Sequence, residues 1–345
     1  MRSVVAGALL TAVLVSPAAL AQTGTTALRS GGSNGVFVWT DAAYWSVKLP
    51  QYGLGLRHVG AGGTDGGLVQ SYNPRADGAA ASGGIGFTLP EGSLNGVLGS
   101  NVRVSVGGFY LRATDSQSDT AASFDSVVQT AGGAVILRCA LPVACAFSSQ
   151  LDTEQTAWRT EVKLAGDFRA GAATITPSFA VLGGSSRTKQ TFFQQRDDTR
   201  YNARSELRWT DWGARFSLGN TMPLTRTLAI GVSGNVGVVA RNVSFSAYDF
   251  GDNAGIGQYA STRATSSSTA ALMAGAAVEL TARPTATTTL RTFAGVDYDS
   301  RVPGIASPTF VPADLISTVG TPAGIAYSGE VSFFAGGGLT MRFAP

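Results

Sequence analysis

Apolar and polar residues alternate with a period of two over long stretches of this chain. Between residues 156 and 169 the even positions carry Trp158, Val162 and Phe168, whereas the odd positions are mostly charged and include Glu161 and Lys163. Successive side chains of a β-strand point to opposite faces, so this alternation predicts a strand with one apolar and one charged face.

The same pattern recurs along most of the sequence. Residues 227–241 and 270–283 repeat it, and so does the C-terminal segment that closes on Phe343. Near the N-terminus, the residues that share one apolar face are Phe37, Trp39, Trp45, Val47 and Leu49. Several of these segments are about twice as long as the five or six residues usual for strands of soluble proteins.

The segments between the predicted strands alternate between long and short. The predicted long, polar loops are 50–82, 114–154, 185–203, 242–267 and 300–324, and the predicted turns are 91–100, 170–172, 220–225 and 284–286. Transmembrane barrels have long extracellular loops and short periplasmic turns. We therefore predict an all-β fold, a closed antiparallel transmembrane β-barrel of about ten strands with both ends in the periplasm. The alternative is twelve strands, with a further hairpin from residues 124–129 and 134–138.

The spacing of aromatic residues favours lipid on the apolar side. Trp158 and Phe168 lie ten residues apart on one face, as do Phe333 and Phe343. Ten residues rising about 3.3 Å each, in a strand tilted by about 40°, cover roughly 25 Å of the membrane normal. The predicted aromatic girdle consists of Trp158, Phe168, Tyr298, Phe333 and Phe343. The alternative is a soluble β-rich protein, whose strands also alternate.

If the apolar face meets lipid, the charged face must line the interior of the barrel. The charges predicted to face the lumen are Arg103, Arg159, Glu161, Lys163, Asp167, Glu279, Arg291, Asp297, Glu330 and Arg342. Charges of both signs in a narrow interior imply paired, hydrogen-bonded networks. Such networks either fill and stiffen the barrel or form the lining of a selective channel.

The N-terminus predicts export. Arg2 precedes an apolar stretch, Val4 to Val15, and Ala19-Leu20-Ala21 matches the small-x-small cleavage pattern of a signal peptide. We predict a signal peptide over residues 1–21, cleaved after Ala21, then a short periplasmic segment over 22–35 and the barrel over 36–345. The predicted location is the bacterial outer membrane.

Composition agrees with an exported barrel and excludes some partners. The 44 glycines among 345 residues exceed the usual fraction of about 7%, which suits curved strands and turns. The net charge of +3 is too small to predict nucleic-acid binding. Cys139 and Cys145 would meet an oxidising compartment after export, which favours a disulfide over a pair of free thiols. No motif predicts a cofactor or a metal site.

The sequence offers little catalytic chemistry. The single histidine, His58, lies within the first predicted loop in the segment GLGLRHVGAGG. A general-base role is conceivable for it, but an ordinary loop histidine is the simpler reading. We predict that the chain is not an enzyme, and keep an outer-membrane hydrolase of lipase or protease type as the alternative.

The segment WRTEVKLAGDFRAGAATITPSFAVLGG, from Trp158 to Gly184, and the ending GGGLTMRFAP resemble autotransporter-type barrel domains. Porin-like outer-membrane proteins are an equally fair comparison, because too few residues precede the first strand for a passenger domain. These resemblances imply a small passive pore or a structural, surface-exposed barrel. The implied partners are outer-membrane lipid, lipopolysaccharide and the barrel-assembly machinery.

Overall fold

The computed structural model describes most of the predicted barrel. The described residues are 35–49, 56–58, 72, 74–90, 99–123, 125–130, 133–138, 145–196, 199–253, 257–306, 312–314, 317–318 and 323–343. The predicted signal peptide, residues 1–21, lies outside them, as does the predicted periplasmic segment 22–35 except for its last residue.

Every regular element in the described part of the chain is a β-strand. The strands are β1 (Val36–Lys48), β2 (Leu56–His58), β3 (Arg75–Thr88), β4 (Ser100–Ser123), β5 (Asp125–Thr130), β6 (Gly133–Arg138), β7 (Cys145–Ala170), β8 (Ala173–Arg196), β9 (Thr199–Pro223), β10 (Leu228–Asn253), β11 (Gly257–Ala282), β12 (Thr288–Ala306), β13 (Pro312–Asp314), β14 (Ser317–Thr318) and β15 (Gly324–Phe343).

Ten of these strands form a closed barrel in the order β1-β15-β12-β11-β10-β9-β8-β7-β4-β3, with every neighbour antiparallel. The first and last strands close the ring, and Val36 lies opposite Phe343. The two ends of the barrel chain therefore lie at one rim, which we call the lower end. The prediction of a closed antiparallel barrel of ten strands is confirmed.

The twelve-strand alternative is wrong, although the hairpin behind it exists. Strands β5 and β6 form this hairpin close to the predicted positions, but they pair with β2 in a separate three-stranded sheet. Strands β13 and β14 form a second small sheet. Both sheets belong to connections at the upper end of the barrel.

The barrel strands are much longer than their apolar stretches, so several predicted loops are wrong. Strands β10 and β11 stay paired from Leu228–Ala282 at the lower end to Asn253–Gly257 at the upper end, through most of the predicted loop 242–267. Strands β8 and β9 likewise absorb most of the predicted loop 185–203. On β9 and β10 the alternation continues with the opposite phase: apolar residues such as Leu207 and Phe245 point inward, and the outward residues are mostly Ser, Thr, Asn and charged residues.

Among the other predicted connections, the loops at the upper end are shorter than predicted, whereas the described turns at the lower end agree with the prediction. Strands β4, β7, β3, β12 and β15 also extend into the predicted loops 50–82, 114–154 and 300–324. The lower-end turns between β7 and β8, β9 and β10, and β11 and β12 occur close to their predicted positions. Most of the predicted turn 91–100 lies outside the described residues.

The apolar face of β1 points opposite to the other strands. Phe37, Trp39, Trp45 and Val47 are buried inside the barrel, although the alternation suggests that such a face meets lipid. Neighbouring strands make room with glycine: a Cβ at Gly84 would overlap the Trp39 ring. The large aromatic side chains of β1 fit inside the barrel because neighbouring strands present glycine to them. The sequence of β1 alone does not reveal this.

Candidate functional site

The charged residues inside the barrel are the first candidate site. Eight of the ten predicted lumen-facing side chains are buried there: Arg103, Arg159, Glu161, Lys163, Asp167, Glu279, Arg291 and Asp297. Glu330 and Arg342 are half-buried at the same inward parity of β15 as buried Ser332. Six further buried charges were not predicted as lumen residues: Asp41, Asp211, Arg215, Arg241, Asp249 and Asp299.

Arg241 on β10 is the centre of this interior network. Its guanidinium donates to both carboxylate oxygens of Asp211 at 2.7 and 2.9 Å and to those of Asp299 at 3.2 and 2.7 Å. It also donates to the backbone carbonyl of Arg301 at 2.6 Å. Arg159 lies 3.8 Å from Asp211 and supplies a second positive charge. These buried groups tie strands β7, β9, β10 and β12 together across the interior.

Two other ion pairs reach over an intervening strand. Arg215 on β9 pairs with Glu161 on β7, and Arg291 on β12 pairs with Asp41 on β1. The Arg291 Nε donates to Asp41 at 2.9 Å, and Ser82 donates to the same carboxylate at 2.9 Å. The strand between Arg291 and Asp41 carries Gly338, where a Cβ would overlap the Asp41 carboxylate. Glycine at this inward position therefore permits the pair.

The lower end of the interior holds a further bidentate pair. Arg103 donates two hydrogen bonds to Asp167, at 3.0 and 2.7 Å, and Thr176 donates a third to the same carboxylate at 2.9 Å. Both charged side chains are at most 7% exposed. Bidentate arginine–carboxylate geometry fixes both partners firmly.

An apolar cluster fills the interior beside β1. Trp45 stacks on Phe334 with ring centroids 5.4 Å apart, and Phe109 packs on the same tryptophan at 5.8 Å. Arg291 lies over the Phe293 ring at 5.7 Å, so this cluster meets the charged network. Among the described residues of the lower half, the inward side chains are buried or half-buried. Side chains thus occupy the lumen at this height.

A second apolar cluster fills the upper part of the interior. Leu207, Trp209 and Phe245 are buried there, together with Phe192 and Tyr201, whose rings meet edge to face at 6.0 Å. All five are inward residues of strands β8, β9 and β10. The upper barrel therefore has a core like that of a soluble protein.

Tyr72, which belongs to the connection between β1 and β3, packs on this upper cluster. Its hydroxyl shares a 2.6 Å hydrogen bond with Ser149. Burial raises the pKa of the Tyr72 phenol above its ordinary value, whereas the hydrogen bond with Ser149 acts in the opposite direction. The connection between β1 and β3 is thereby anchored to the inner wall of β7.

The lower part of the outer face carries an apolar belt. It includes all five residues predicted as the aromatic girdle, which are exposed as follows: Trp158 53%, Phe168 41%, Tyr298 38%, Phe333 37% and Phe343 53%. Six further exposed aromatic residues of the belt were not predicted for the girdle: Tyr44, Phe87, Tyr110, Phe179, Trp212 and Phe216. The register sets Trp158 against Tyr110, so they lie at one level, the upper edge of the belt.

Above the belt, the outer face of β7 to β11 becomes polar, and we call this surface the upper wall. Glu206 on β9 binds two arginines there: Arg187 on β8 donates to it at 2.5 Å, and Arg208 also donates to it. The hydrogen bond from Arg187 is the main reason why the pKa of Glu206 lies below its ordinary value. The carboxylate is therefore ionised at neutral pH.

A shallow groove of about 610 Å³ adjoins this group of charges. Its outward lining includes Glu206, Arg208, Ser244, Ser246 and Ser266. Serine hydroxyls beside an arginine form a surface suited to polar, anionic ligands.

Two of the predicted chemical features cannot be placed. Cys139 and the side chain of Cys145, the predicted disulfide partners, lie outside the described residues. The backbone of His58 belongs to β2, but its side chain is likewise outside them. The described residues hold no group of three or more His, Cys, Asp or Glu placed to bind a metal ion. No helix among them has the length and apolar character needed to cross a membrane.

The chain was compared with known families, curated proteins and solved structures. No family model and no curated protein matches it. The outer-membrane protease OmpT from Escherichia coli aligns with 92% of this chain and 100% of its own, at 8% identity and a TM-score of 0.43. An outer-membrane channel from Pseudomonas putida F1 covers 91% and 97%, at 7% identity and 0.30. A Pseudomonas aeruginosa FadL homologue covers 90% and 90%, at 7% and 0.23. Similarities of this size assign neither activity nor substrate.

Proposed function

We propose that this chain is an integral outer-membrane β-barrel whose apolar belt lies in the hydrocarbon of the bilayer. One observation carries the proposal: large apolar side chains are exposed around the lower outer face while charges are buried inside. Trp212 is 67% exposed and Val232 56%, whereas Arg215 and Asp297 are each 1% exposed. In water this arrangement would be inside out, because exposing apolar surface to water and burying charge away from water both cost free energy.

The height of the belt supports the same proposal. The ten residues from Trp158 to Phe168 cover roughly 25 Å along the barrel axis, the usual thickness of the outward apolar band. Tyrosine and tryptophan at the upper edge suit the interface between lipid and water. The soluble, secreted alternative would have to leave this belt in water, which favours aggregation.

Within the membrane we propose a closed, non-enzymatic structural barrel that carries a tall surface-exposed wall, in preference to a passive pore. The reason is the filled interior, in which Arg241 and its two carboxylate partners are at most 5% exposed. An open aqueous channel would leave such lining charges in contact with water. The passive pore remains the second candidate, and the enzymatic alternative depends on His58.

The remaining predictions belong to the same proposal. The signal peptide is cleaved after Ala21, and the last strand, which ends at Phe343, is presented to the barrel-assembly machinery. The partners in the mature state are bilayer lipids and the lipopolysaccharide of the outer leaflet. Kinship with autotransporter-type barrels is part of this proposal only as a resemblance of the closing strands.

Fractionation combined with a heat-shift gel tests the proposal. A folded barrel in the outer-membrane fraction should resist SDS and migrate differently before and after boiling. A single unshifted band in the soluble periplasm would reject the membrane barrel.

Planar-bilayer recording then separates the closed barrel from the pore. The filled interior predicts no conductance steps above leak for the purified, folded protein. As a positive control, the variant Arg241→Ala/Arg159→Ala removes the central side chains, and any variant that still folds should conduct more than the native protein. Regular steps from the native protein would replace the closed barrel with the pore.

A further inference from the structure

Above the belt, outward residues that lie opposite one another on neighbouring strands form rows across the outer face of β8 to β11. Trp212 marks the top of the belt on β9, and two rows higher Arg187, Arg208, Ser244 and Ser266 lie side by side. Tyr248 is exposed two rows above them. From Trp212 to Arg208 the rise is about 13 Å along the strand, or about 10 Å along the membrane normal. This row therefore lies at the height of lipid headgroups.

The two arginines of this row face each other on neighbouring strands. Like charges at directly opposed positions repel, and only Glu206 lies between them. One carboxylate neutralises one of the two guanidinium groups, so the group keeps a net positive charge. Arg208 is 60% exposed, which leaves its guanidinium open to a ligand.

The surrounding charges do not cancel this excess. Going up the outer face, Lys189 follows Arg187 on β8, and Arg204 follows Glu206 on β9. The nearest acids on the adjoining strand are Glu154, which pairs with Arg112 at 3.1 Å, and Asp152, which accepts from Ser116 at 2.6 Å. The cations of β8 and β9 thus exceed the acid between them.

The groove beside Arg208 adds hydroxyl groups to this positive surface. Ser244, Ser246 and Ser266 line it on β10 and β11. Below it, Val238 and Leu272 are exposed in the belt on the same two strands. In order of height, the surface offers apolar contacts, hydroxyls and guanidinium groups. That order matches an amphiphile with acyl chains, a sugar and phosphate.

We propose that Arg187 and Arg208, with the adjoining serine groove, bind the phosphorylated sugar headgroup of a lipopolysaccharide molecule in the outer leaflet. This inference rests on the proposed function, because it needs the belt to be in the membrane. Guanidinium groups bind phosphate with paired, charge-assisted hydrogen bonds, and serine hydroxyls can bind the sugar.

Native mass spectrometry of the detergent-folded protein tests the site with three probes. These are lipid A with two phosphates, lipid A with both phosphates removed, and inorganic phosphate. The variant Arg187→Gln/Arg208→Gln should bind bisphosphorylated lipid A about tenfold more weakly than the native protein, because two charged hydrogen-bond donors are lost. It should bind the dephosphorylated lipid as the native protein does.

The control variant Arg200→Gln/Arg226→Gln removes the same charge from exposed positions at the two ends of the barrel. It should keep native affinity within about twofold, since screened distant charges contribute little. Equal losses in the two variants, or native affinity in the first, would overturn the site. Complete displacement of lipid A by about 10 mM inorganic phosphate would overturn the glycolipid assignment.

The heat-shift gel distinguishes failure of this inference from failure of the proposed function. If the native protein and both variants shift on heating but bind lipid A equally, the barrel stands and the site is wrong. If the native protein neither shifts nor fractionates with the outer membrane, the proposed function fails, and the site fails with it.

Discussion

Strand β9 passes through two regions of the barrel that place the same residue types on opposite faces. In the lower region Trp212 points outward and is 67% exposed, whereas Arg215 points inward and is buried. In the upper region Trp209 points inward and is 5% exposed, whereas Arg208 points outward. Since the strand keeps its pleat throughout, the change marks a change of solvent around the barrel, from hydrocarbon below to water above.

The lower and upper regions of the barrel are also filled by different kinds of side chain. Ion pairs such as that between Arg241 and Asp211 hold the lower interior, where the apolar cluster around Trp45 is confined to the side of β1. Apolar side chains such as Leu207 and Phe245 hold the upper interior. A barrel wall facing lipid leaves only the inside for polar residues, whereas a wall facing water allows an ordinary apolar core.

The largest effect is expected for the charged network. Arg241→Ala should destabilise the folded barrel by about 3 to 5 kcal/mol, because two buried carboxylates lose their main partner. Urea unfolding in phospholipid vesicles measures this. A loss under 1 kcal/mol would mean that the lower interior is hydrated.

Leu207→Ala tests the upper core. It should cost about 3 kcal/mol, the usual cost of a cavity in an apolar core. The same unfolding assay applies, with the exposed upper-wall change Ser246→Ala as a near-neutral control. Equal, negligible effects of both changes would show that the upper interior is not packed.

One substitution placed in each region tests the outer face. Val232→Arg in the belt should cost about 2 kcal/mol, because it puts a charge into hydrocarbon. Ser246→Arg, on the same face of the same strand but on the upper wall, should change stability by less than about 0.5 kcal/mol. If the two variants unfold alike, lipid does not surround the lower region.

The smallest effect is expected for the outer ion pairs. Arg208→Gln should change stability by less than about 1 kcal/mol, because its bond with Glu206 is largely exposed to solvent. Increasing the salt concentration should reduce the difference further. A loss comparable with that of Arg241→Ala would contradict the assignment of the upper wall to water.

The sequence predicted the lower region better than the upper one. In β7 and β15, alternation placed Trp158 and Phe343 on one face and Glu161 on the other, as the structure has them. The upper half of β11 was predicted as loop, because in its segment TRATSSS small polar residues occupy both faces. Backbone pairing holds such a segment in a strand, and composition does not record pairing.

The interior partners could not be predicted residue by residue. Arg241 has the parity of the lumen, but its pairing with Asp299 depends on the register of two strands separated by a third. Nothing in the sequence distinguishes Gly338 from the other glycines, because its role depends on its position beside Asp41 in the folded barrel. The inward face of β1 was missed because its aromatic residues have the pattern of a lipid-facing strand.

The most direct test of the change of solvent is the depth of labelled positions along the outer face of β10. In a background with Cys139 and Cys145 replaced, single cysteines at Val232, Val236, Ser244 and Ser246 carry a fluorophore in the barrel refolded into phospholipid vesicles. The first two should be quenched by nitroxide in the lipid chains and protected from aqueous iodide, and the last two should show the reverse. Iodide quenching of equal strength at all four positions would contradict the account.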